Sequence, residues 1–238
     1  MRTLIAATTA FTWMPLAAEA SEKRFFADVA VSSSVIDRGE QIGPLTLEAS
    51  AGIEADVAGA TLYGALYRLT PVGGDADAFD DETDYTIGAA WQGKGYTADV
   101  SANWLTYPGE EGGSSLELVG SVSLESAFTP TLTGFRDTRF DDWGLEVSAG
   151  PTGEAGAWEL YALGRAGFVK PGDGSATRSY GGVEAGAARP ITDAVAIGFF
   201  ARAEIADEET FARRIDSDSI TEVRNSGIAA GVSLSIAH

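Results

Sequence analysis

Residues 45–54 read LTLEASAGIE and alternate strictly between apolar side chains and polar or small ones. The apolar parity holds Leu45, Leu47, Ala49, Ala51 and Ile53. Because side chains on a strand point alternately to opposite faces, this segment has one apolar face and one polar face. The pattern recurs in about a dozen segments, and none of them shows a helical period. Such repetition along a whole chain is typical of a transmembrane β-barrel.

The connections between these segments are alternately short and long. Short turns at 56–59, 93–95 and Glu125–Ser126 alternate with longer, more polar loops such as 36–44 and 206–223. Bacterial barrels have an even number of strands, with short periplasmic turns and longer extracellular loops. The sequence therefore predicts an all-β fold, an antiparallel transmembrane β-barrel of about 12 strands. The predicted strands lie near 24–34, 45–54, 60–69, 83–92, 95–105, 115–124, 127–136, 142–150, 157–168, 177–188, 193–205 and 224–238.

Residues 1–20 have the composition of a signal peptide. Arg2 gives a positive start, residues 4–17 are mostly apolar, and Ala18-Glu19-Ala20 forms a small-residue cleavage site before Ser21. No other stretch approaches the roughly 20 apolar residues of a membrane helix, so a membrane protein of this sequence must be a barrel. We predict a cleaved signal peptide at 1–20, a barrel over 21–238 and localisation in the cell outer membrane.

The composition excludes several classes of protein. The chain has no cysteine, which excludes disulfides and thiolate metal sites. The formal net charge is −19, and nucleic acid is excluded as a partner because phosphate binding requires a basic surface. No motif for a phosphate or cofactor follows a strand and opens a helix, so no cofactor is expected.

A soluble β-sandwich would also show alternating strands, and aromatic positions favour the barrel over it. In a sandwich, large aromatic side chains more often lie at mid-strand in the core. Here they lie at strand ends on the apolar parity, as membrane-interface aromatics do. The predicted interface residues are Trp91, Trp104, Trp143 and Trp158, with Phe25, Tyr96 and Phe128 at the turn side and Tyr67, Tyr85 and Phe168 at the loop side.

The parity opposite to the apolar one should line the lumen. The predicted lining carboxylates are Asp28, Glu48, Asp84, Asp99, Glu117, Glu146, Glu159, Glu184 and Glu204. The predicted lining bases are Arg68, Arg165, Arg178 and Arg202, with Arg68 placed inward because a charge facing lipid at mid-depth costs about 2–4 kcal/mol.

Two interpretations of this lining are compatible with each other. Glu48, Asp99 and Glu146 near mid-depth would set the field of a small cation-preferring pore. Alternatively, the interior charges pair across neighbouring strands, because buried charges need partners. Arg165, Glu184, Arg202 and Glu204 lie on consecutive predicted strands and could form such a ladder.

Neither catalysis nor a defined metal site is expected. The sole histidine, His238, is the last residue, which argues against hydrolytic sites that pair histidine with serine or aspartate. Acidic runs at 75–82 and 207–218 lie in predicted external loops and could hold divalent cations, although solvated loop charge explains them equally well.

Several local motifs resemble those of a family of small proteobacterial outer-membrane proteins, the TorF-type porins. They are Arg38-Gly39 in the first loop, Glu82-Thr83-Asp84-Tyr85 opening the fourth strand, and residues 104–109, WLTYPG. The resemblance implies an outer-membrane barrel of porin type and carries no catalytic residues. The chain differs in ending on His238, where barrels of this kind usually end on an aromatic residue that is read during assembly.

The sequence therefore predicts a small diffusion channel for ions and small solutes that prefers cations. The alternatives are a solute-specific channel for neutral or cationic small molecules, and a non-conducting barrel with a structural or surface-interaction role. The expected partners are outer-membrane lipid and lipopolysaccharide, the barrel-assembly machinery, and divalent cations at the acidic loops.

Overall fold

A computed structural model describes residues 23–108, 113–216 and 219–237. The predicted signal peptide and His238 lie outside these ranges. Numbered in chain order, the strands are β1 (Arg24–Ser32), β2 (Val35–Asp37), β3 (Glu40–Gly43), β4 (Thr46–Val57), β5 (Ala60–Pro71), β6 (Glu82–Gly93), β7 (Tyr96–Thr106), β8 (Ser114–Leu124), β9 (Thr131–Asp137), β10 (Trp143–Ala149), β11 (Thr152–Ala155), β12 (Trp158–Lys170), β13 (Arg178–Pro190), β14 (Val195–Ala206), β15 (Phe211–Asp216), β16 (Ser219–Arg224) and β17 (Ser226–Ala237). No helix in the described ranges is both long and apolar enough to cross a membrane.

Twelve of these strands form a closed antiparallel barrel, which confirms the predicted fold. Each barrel strand pairs with the barrel strands that precede and follow it in the chain. Strand β1 closes the cylinder by pairing with β17, with Phe26 opposite Ala237. Strands β2 and β3 form one separate hairpin, and β15 and β16 form another. Strand β11 pairs only with β12 and extends the β10–β12 hairpin beyond the wall.

Turn positions largely follow the prediction, with one correction. The predicted two-residue turn at Glu125–Ser126 is wrong, because the connection from β8 to β9 runs over 125–130. The Leu124 N–H donates to the Pro130 carbonyl at 2.9 Å, and Thr129 has a positive φ of 40°. Pro130 has no N–H to donate to a strand ladder, so pairing resumes only at Thr131.

Apolar side chains cover the outer face of the barrel. Ile87 and Ile228 are 70% and 73% exposed, and the other outward strand positions are mostly Leu, Val, Ile, Phe or Ala. A surface this apolar is stable only against another apolar phase, here the bilayer core. The structure places Phe25, Trp91, Tyr96 and Trp158 on this face at the turn end of the barrel. It places Tyr85, Trp104, Trp143 and Phe168 on this face at the loop end.

On the inner face, aromatic rings lie flat against glycines of the neighbouring strand. An added Cβ would stand 2.2 Å from the Phe26 ring at Gly52 and 2.3 Å from the Tyr63 ring at Gly88. The same arrangement pairs Phe135 with Gly144, Tyr161 with Gly186, Tyr180 with Gly167 and Phe200 with Gly231, each directly opposite in the strand register. Glycine is needed at these positions because only the bare backbone lets a ring approach so closely.

The Gly88→Val substitution is expected to destabilise the barrel by about 1–3 kcal/mol, because it forces the Tyr63 ring off the wall. The urea midpoint of the folded protein in detergent, followed by heat-modifiable migration on SDS gels, measures this loss. The control is Gly153→Val in β11, where an added Cβ meets no atom within 4 Å. Equal midpoints for the two variants would contradict the packing argument.

Candidate functional site in the barrel lumen

The structure places most of the predicted lining residues on the inner face. All nine carboxylates, Asp28, Glu48, Asp84, Asp99, Glu117, Glu146, Glu159, Glu184 and Glu204, have inward parity, as do Arg165, Arg178 and Arg202. Six of the nine carboxylates are buried, so solvent barely reaches them.

The prediction that Arg68 faces the lumen is wrong. Inward positions of β5 hold Tyr63, Tyr67 and Leu69, so Arg68 has outward parity. Its guanidinium contacts Asp81 and donates to the Thr83 hydroxyl at 2.7 Å, at the loop end of the barrel. The high cost of a lipid-facing charge applies at mid-depth and falls towards zero near the interface, where a long side chain reaches water.

Tyr67 is a second correction, because it does not belong to the outer aromatic girdle. Its side chain is buried inside the barrel, and its hydroxyl donates to the Glu48 carboxylate at 2.8 Å. Both parities of β5 carry apolar residues, so alternation alone could not assign its faces. The hydroxyl needed a polar partner, and the lumen supplies one.

The first loop does not extend outward from the barrel but folds into it as the hairpin of β2 and β3, residues 35–43. Asp37 pairs with Glu40 across a two-residue turn in which Arg38 has φ 47° and Gly39 has φ 78°. Positive φ at both central residues is the geometry of a type I′ turn, which suits a tight hairpin. We name residues 35–43 the inner hairpin.

Apolar side chains at the base of the inner hairpin explain why it turns inward. Val35 and Ile36 are each 1% exposed, and outside the barrel they would lie in water. Val35 packs with Tyr67 and Leu69 on one side of the lumen. Ile36 joins a cluster on the opposite side that includes Tyr180. Burial of each such side chain contributes about 1.5–3 kcal/mol.

Arg38, at the tip of the inner hairpin, reaches β8 on the far side of the lumen. Its guanidinium binds both carboxylate oxygens of Glu117 and lies 3.6 Å from the centre of the Phe135 ring. A bidentate contact combined with a ring stack is a strong arrangement for a guanidinium removed from water. Arg38 thus connects the hairpin to a wall far from its own strands.

The backbone of the inner hairpin is held by the charge ladder that the sequence suggested. Arg202 donates to Glu184 at 2.6 Å and to the Ile36 carbonyl at 2.7 Å. Glu204 accepts the Gly39 N–H at 2.9 Å. Arg165 lies 3.6 Å from Glu184 and 3.7 Å from Glu204. The backbone of the inner hairpin therefore lies among the charged side chains of the ladder and forms hydrogen bonds with them.

The last loop closes over the same region. The Gln41 N–H donates to the Thr210 carbonyl at 3.2 Å, and the Thr210 hydroxyl donates to the Gly39 carbonyl. Phe211, at the start of β15, is fully buried in the same cluster as Ile36. Arg178 donates to the Arg38 carbonyl at 3.2 Å. The tip of the hairpin is therefore held from the loop side as well as from the wall.

Hydroxyl groups, rather than basic side chains, hold the three carboxylates that were predicted near mid-depth. Glu48 accepts hydrogen bonds from the Ser32 hydroxyl at 2.5 Å and from Tyr67. The Tyr63 hydroxyl, on β5, donates across β6 to Asp99 on β7 at 2.9 Å. The Tyr180 hydroxyl, on β13, donates across β12 to Glu146 on β10 at 2.9 Å.

Sequence reasoning missed the residues of the inner hairpin. Asp37 and Arg38 were placed in an external loop, whereas the structure puts them inside the barrel. The signal that could have found them is the pair Val35–Ile36, which is too apolar for a solvated loop, next to a turn that begins with an arginine. Asn103 was also missed, because a single amide on the polar parity looks unremarkable.

The pKa of Asp37 is raised to about 7, chiefly by burial. The adjacent Arg38 opposes that rise, while the nearby carboxylates of Glu117, Glu204 and Glu146 add to it. For Arg38, the neighbouring Asp37 and Glu117 outweigh burial and raise the pKa. Asp37 is thus the group in the hairpin that changes charge near neutral pH.

Raising the pH should therefore loosen the inner hairpin. A released hairpin has Asp37 in water with an ordinary pKa near 4, whereas the seated hairpin keeps it protonated up to about 7. Seating thus weakens as pH rises from about 4 to 7 and is constant above that. Conductance in planar bilayers is expected to rise between about pH 4 and 7, and Asp37→Asn should flatten that rise. Asp173→Asn in an exposed loop is the control, and an unchanged profile in Asp37→Asn would contradict the assignment.

The chain resembles solved structures of outer-membrane proteins, and the first of these supports the fold. A COG4313 outer membrane channel from Pseudomonas putida F1 matches with a TM-score of 0.56 and 6% identity, covering 93% of this chain and 97% of the other. LpxR from Salmonella typhimurium matches with a TM-score of 0.46 and 10% identity over 90% of this chain and 99% of the other. OmpT of Vibrio cholerae matches with a TM-score of 0.44 and 8% identity over 93% and 99%.

No protein-family model matches the chain, and no curated protein sequence is significantly similar to it. The TorF-type family is therefore not confirmed, and the resemblance stays a prediction. Because the identity is only 6%, the Pseudomonas structure supports the fold and nothing further. The chain has the fold of an outer-membrane β-barrel, a closed barrel of twelve antiparallel strands.

Proposed function

We propose that this chain is a channel of the bacterial outer membrane for small cations and small solutes, delivered there by a cleaved signal peptide and without catalytic activity. The observation that carries the proposal is the inner hairpin. A lumen of twelve strands is wider than the eight-stranded barrels that wall side chains fill by themselves. Here a separate segment, anchored by specific polar contacts, occupies the loop-side half, as a constriction does.

The turn-side half of the lumen offers room below the hairpin. A cavity of about 80 Å³ lies between Glu48 on one wall and Tyr161, Glu184 and Arg202 on another. This volume is enough for several water molecules, and charged groups of Glu48, Glu184 and Arg202 face it among mostly small and apolar residues. Several inner positions in this half are small, such as Ser50 and Ser235.

Cation preference follows from the carboxylates that have no basic partner. Among the described residues, Glu48, Asp99 and Glu146 form no ion pair and accept hydrogen bonds from hydroxyl groups only. Rings of acidic side chains favour cations, because their field attracts positive ions and repels anions.

Conductance in planar bilayers under a KCl gradient tests the proposal. We expect single-channel currents with a reversal potential of the sign that indicates cation preference. The triple variant Glu48→Gln, Asp99→Asn, Glu146→Gln should lose most of that preference. Glu154→Gln, on the exposed strand β11, should keep it. Absence of current, or anion preference in the wild type, would overturn the proposal.

The second candidate function is a non-conducting barrel with a structural or surface-interaction role. It is favoured by the charge ladder, in which Arg202 and Glu204 are both buried beside the inner hairpin. Swelling of liposomes that contain the wild-type protein separates the two functions. Entry of a small neutral sugar supports the channel, and no swelling supports the structural role.

A further inference from the structure

A second group of polar side chains lies on the inner face of β6, β7 and β8, at their loop ends. In the strand register Thr86 pairs with Asn103 and Asn103 pairs with Glu117. Two residues nearer the loops, Leu105 pairs with Asp84 on one side and with Ser115 on the other. Glu82 begins β6 and lies on the same face as Asp84, two residues along the strand. We name Glu82, Asp84, Asn103 and Ser115 the acidic pocket; Glu117 borders it.

The acidic pocket contains several polar atoms without a partner. Asn103 is 1% exposed, and within the described part of the chain neither its amide oxygen nor its amide nitrogen has a hydrogen-bond partner. The same holds for one oxygen each of Glu82 and Asp84 and for the Ser115 hydroxyl. Each buried polar group left unpaired costs about 1–3 kcal/mol. So many in one place indicate a site that a ligand completes.

The neighbouring contact of Arg38 shows which chemistry this wall accepts. Glu117, the carboxylate next to Asn103 in the register, holds the Arg38 guanidinium through both oxygens, and the Phe135 ring covers one face of that cation. Arg38 therefore occupies the Glu117 side of this part of the wall. The side formed by Glu82, Asp84 and Asn103 has two carboxyl groups and no basic side chain within the described ranges.

We infer that the acidic pocket binds the guanidinium group of a small solute, beside the guanidinium of Arg38. This inference rests on the proposed channel function and names its solute class. The free oxygens of Glu82, Asp84 and Asn103 accept N–H donors, and the Asn103 amide nitrogen donates to an oxygen of the solute or of a bound water. In the described ranges no group of three or more acidic side chains is placed to hold a metal ion, which favours an organic cation.

Equilibrium binding to the full-length, detergent-folded protein tests this inference without any current. The probe is agmatine, which carries a guanidinium and an ammonium group. The matched comparison is N-carbamoylputrescine, in which a neutral urea replaces the guanidinium. We expect calorimetry to show saturable agmatine binding, at least about tenfold tighter than that of the urea compound, which is the loss of roughly one charge-assisted contact.

Variants locate the site on the protein. Glu82→Gln with Asp84→Asn keeps the size of both side chains and should weaken agmatine binding about tenfold or more. Glu125→Gln with Glu154→Gln removes the same charge from exposed positions at the turn end of the barrel and should leave binding unchanged. Heat-modifiable migration confirms that each variant is folded. If the acidic-pocket variant does not fold, Asn103→Asp is the second variant, and we expect it to tighten agmatine binding.

The outcomes separate this inference from the proposed function. Equal binding of both probes, or equal binding by both double variants, would overturn the inference, as would Ca²⁺ binding that agmatine does not displace. A protein that conducts but does not bind agmatine would refute only the solute class. A protein that binds agmatine in the acidic pocket but passes no current would refute only the channel.

Discussion

Deletion of the inner hairpin, residues 35–43, is expected to raise the single-channel conductance roughly threefold or more, because it removes the segment that crosses the lumen. The barrel should survive, since β2 and β3 are not part of its sheet. The ends of the deleted segment are adjacent, with the Ser34 hydroxyl donating to the Gly43 carbonyl at 3.1 Å, so two glycines can join them. Bilayer recordings of the two proteins at the same salt concentration give the comparison.

The matched control for that deletion shortens the loop at 171–176, which connects β12 to β13 outside the lumen. Its conductance should equal that of the wild type. A hairpin deletion that folds and conducts no better than this control would show that the constriction lies elsewhere. If the conductance of the deletion variant does not fall at low pH, whereas that of the wild type does, the result would agree with the assignment of Asp37.

The Arg202→Ala substitution is expected to destabilise the protein by about 3–5 kcal/mol. It leaves the Glu184 carboxylate without its closest base, and breaking a buried pair by removing one partner is strongly destabilising. It also removes the donor to the Ile36 carbonyl and so loosens the inner hairpin. The free energy of unfolding in urea, followed by tryptophan fluorescence in detergent, measures the first effect, and bilayer conductance measures the second.

Arg213→Ala is the control for this substitution. Arg213 lies 3.7 Å from Glu222 in the last loop, and both side chains are largely exposed, so their pair contributes at most about 1 kcal/mol. Losses of similar size in the two variants would show that the ladder does not stabilise the barrel more than surface charge does.

The barrel itself could be predicted from the sequence because its determinants are local. Alternation over residues 45–54 fixes the faces of β4 without knowledge of its neighbours, and turn residues such as Gly59 and Gly95 mark the ends of strands. The closed barrel of twelve strands follows from counting these units. Faces became ambiguous only in β5, where tyrosines and leucines occupy opposite parities.

The inner hairpin could not be predicted in the same way, because its position depends on distant residues. Arg38 contacts Glu117, 79 positions away, and Arg202 contacts Ile36, 166 positions away. Apart from the apolar pair Val35–Ile36, the local pattern of this loop does not distinguish an inward loop from an outward one. Arg68 illustrates the same limit. The alternation of β5 was ambiguous, and Arg68 can face outward because it lies near the loop end of the barrel, where it contacts Asp81.

The tyrosines that lie on glycines have a mechanical consequence for the barrel. Tyr63 links β5 to β7 over Gly88, and Tyr180 links β13 to β10 over Gly167. These side-chain links run along the circumference, in addition to the backbone hydrogen bonds between strands. They therefore restrain the cylinder against widening. A wall restrained in this way resists a change of diameter. We therefore expect changes in permeability to come from the segment inside it.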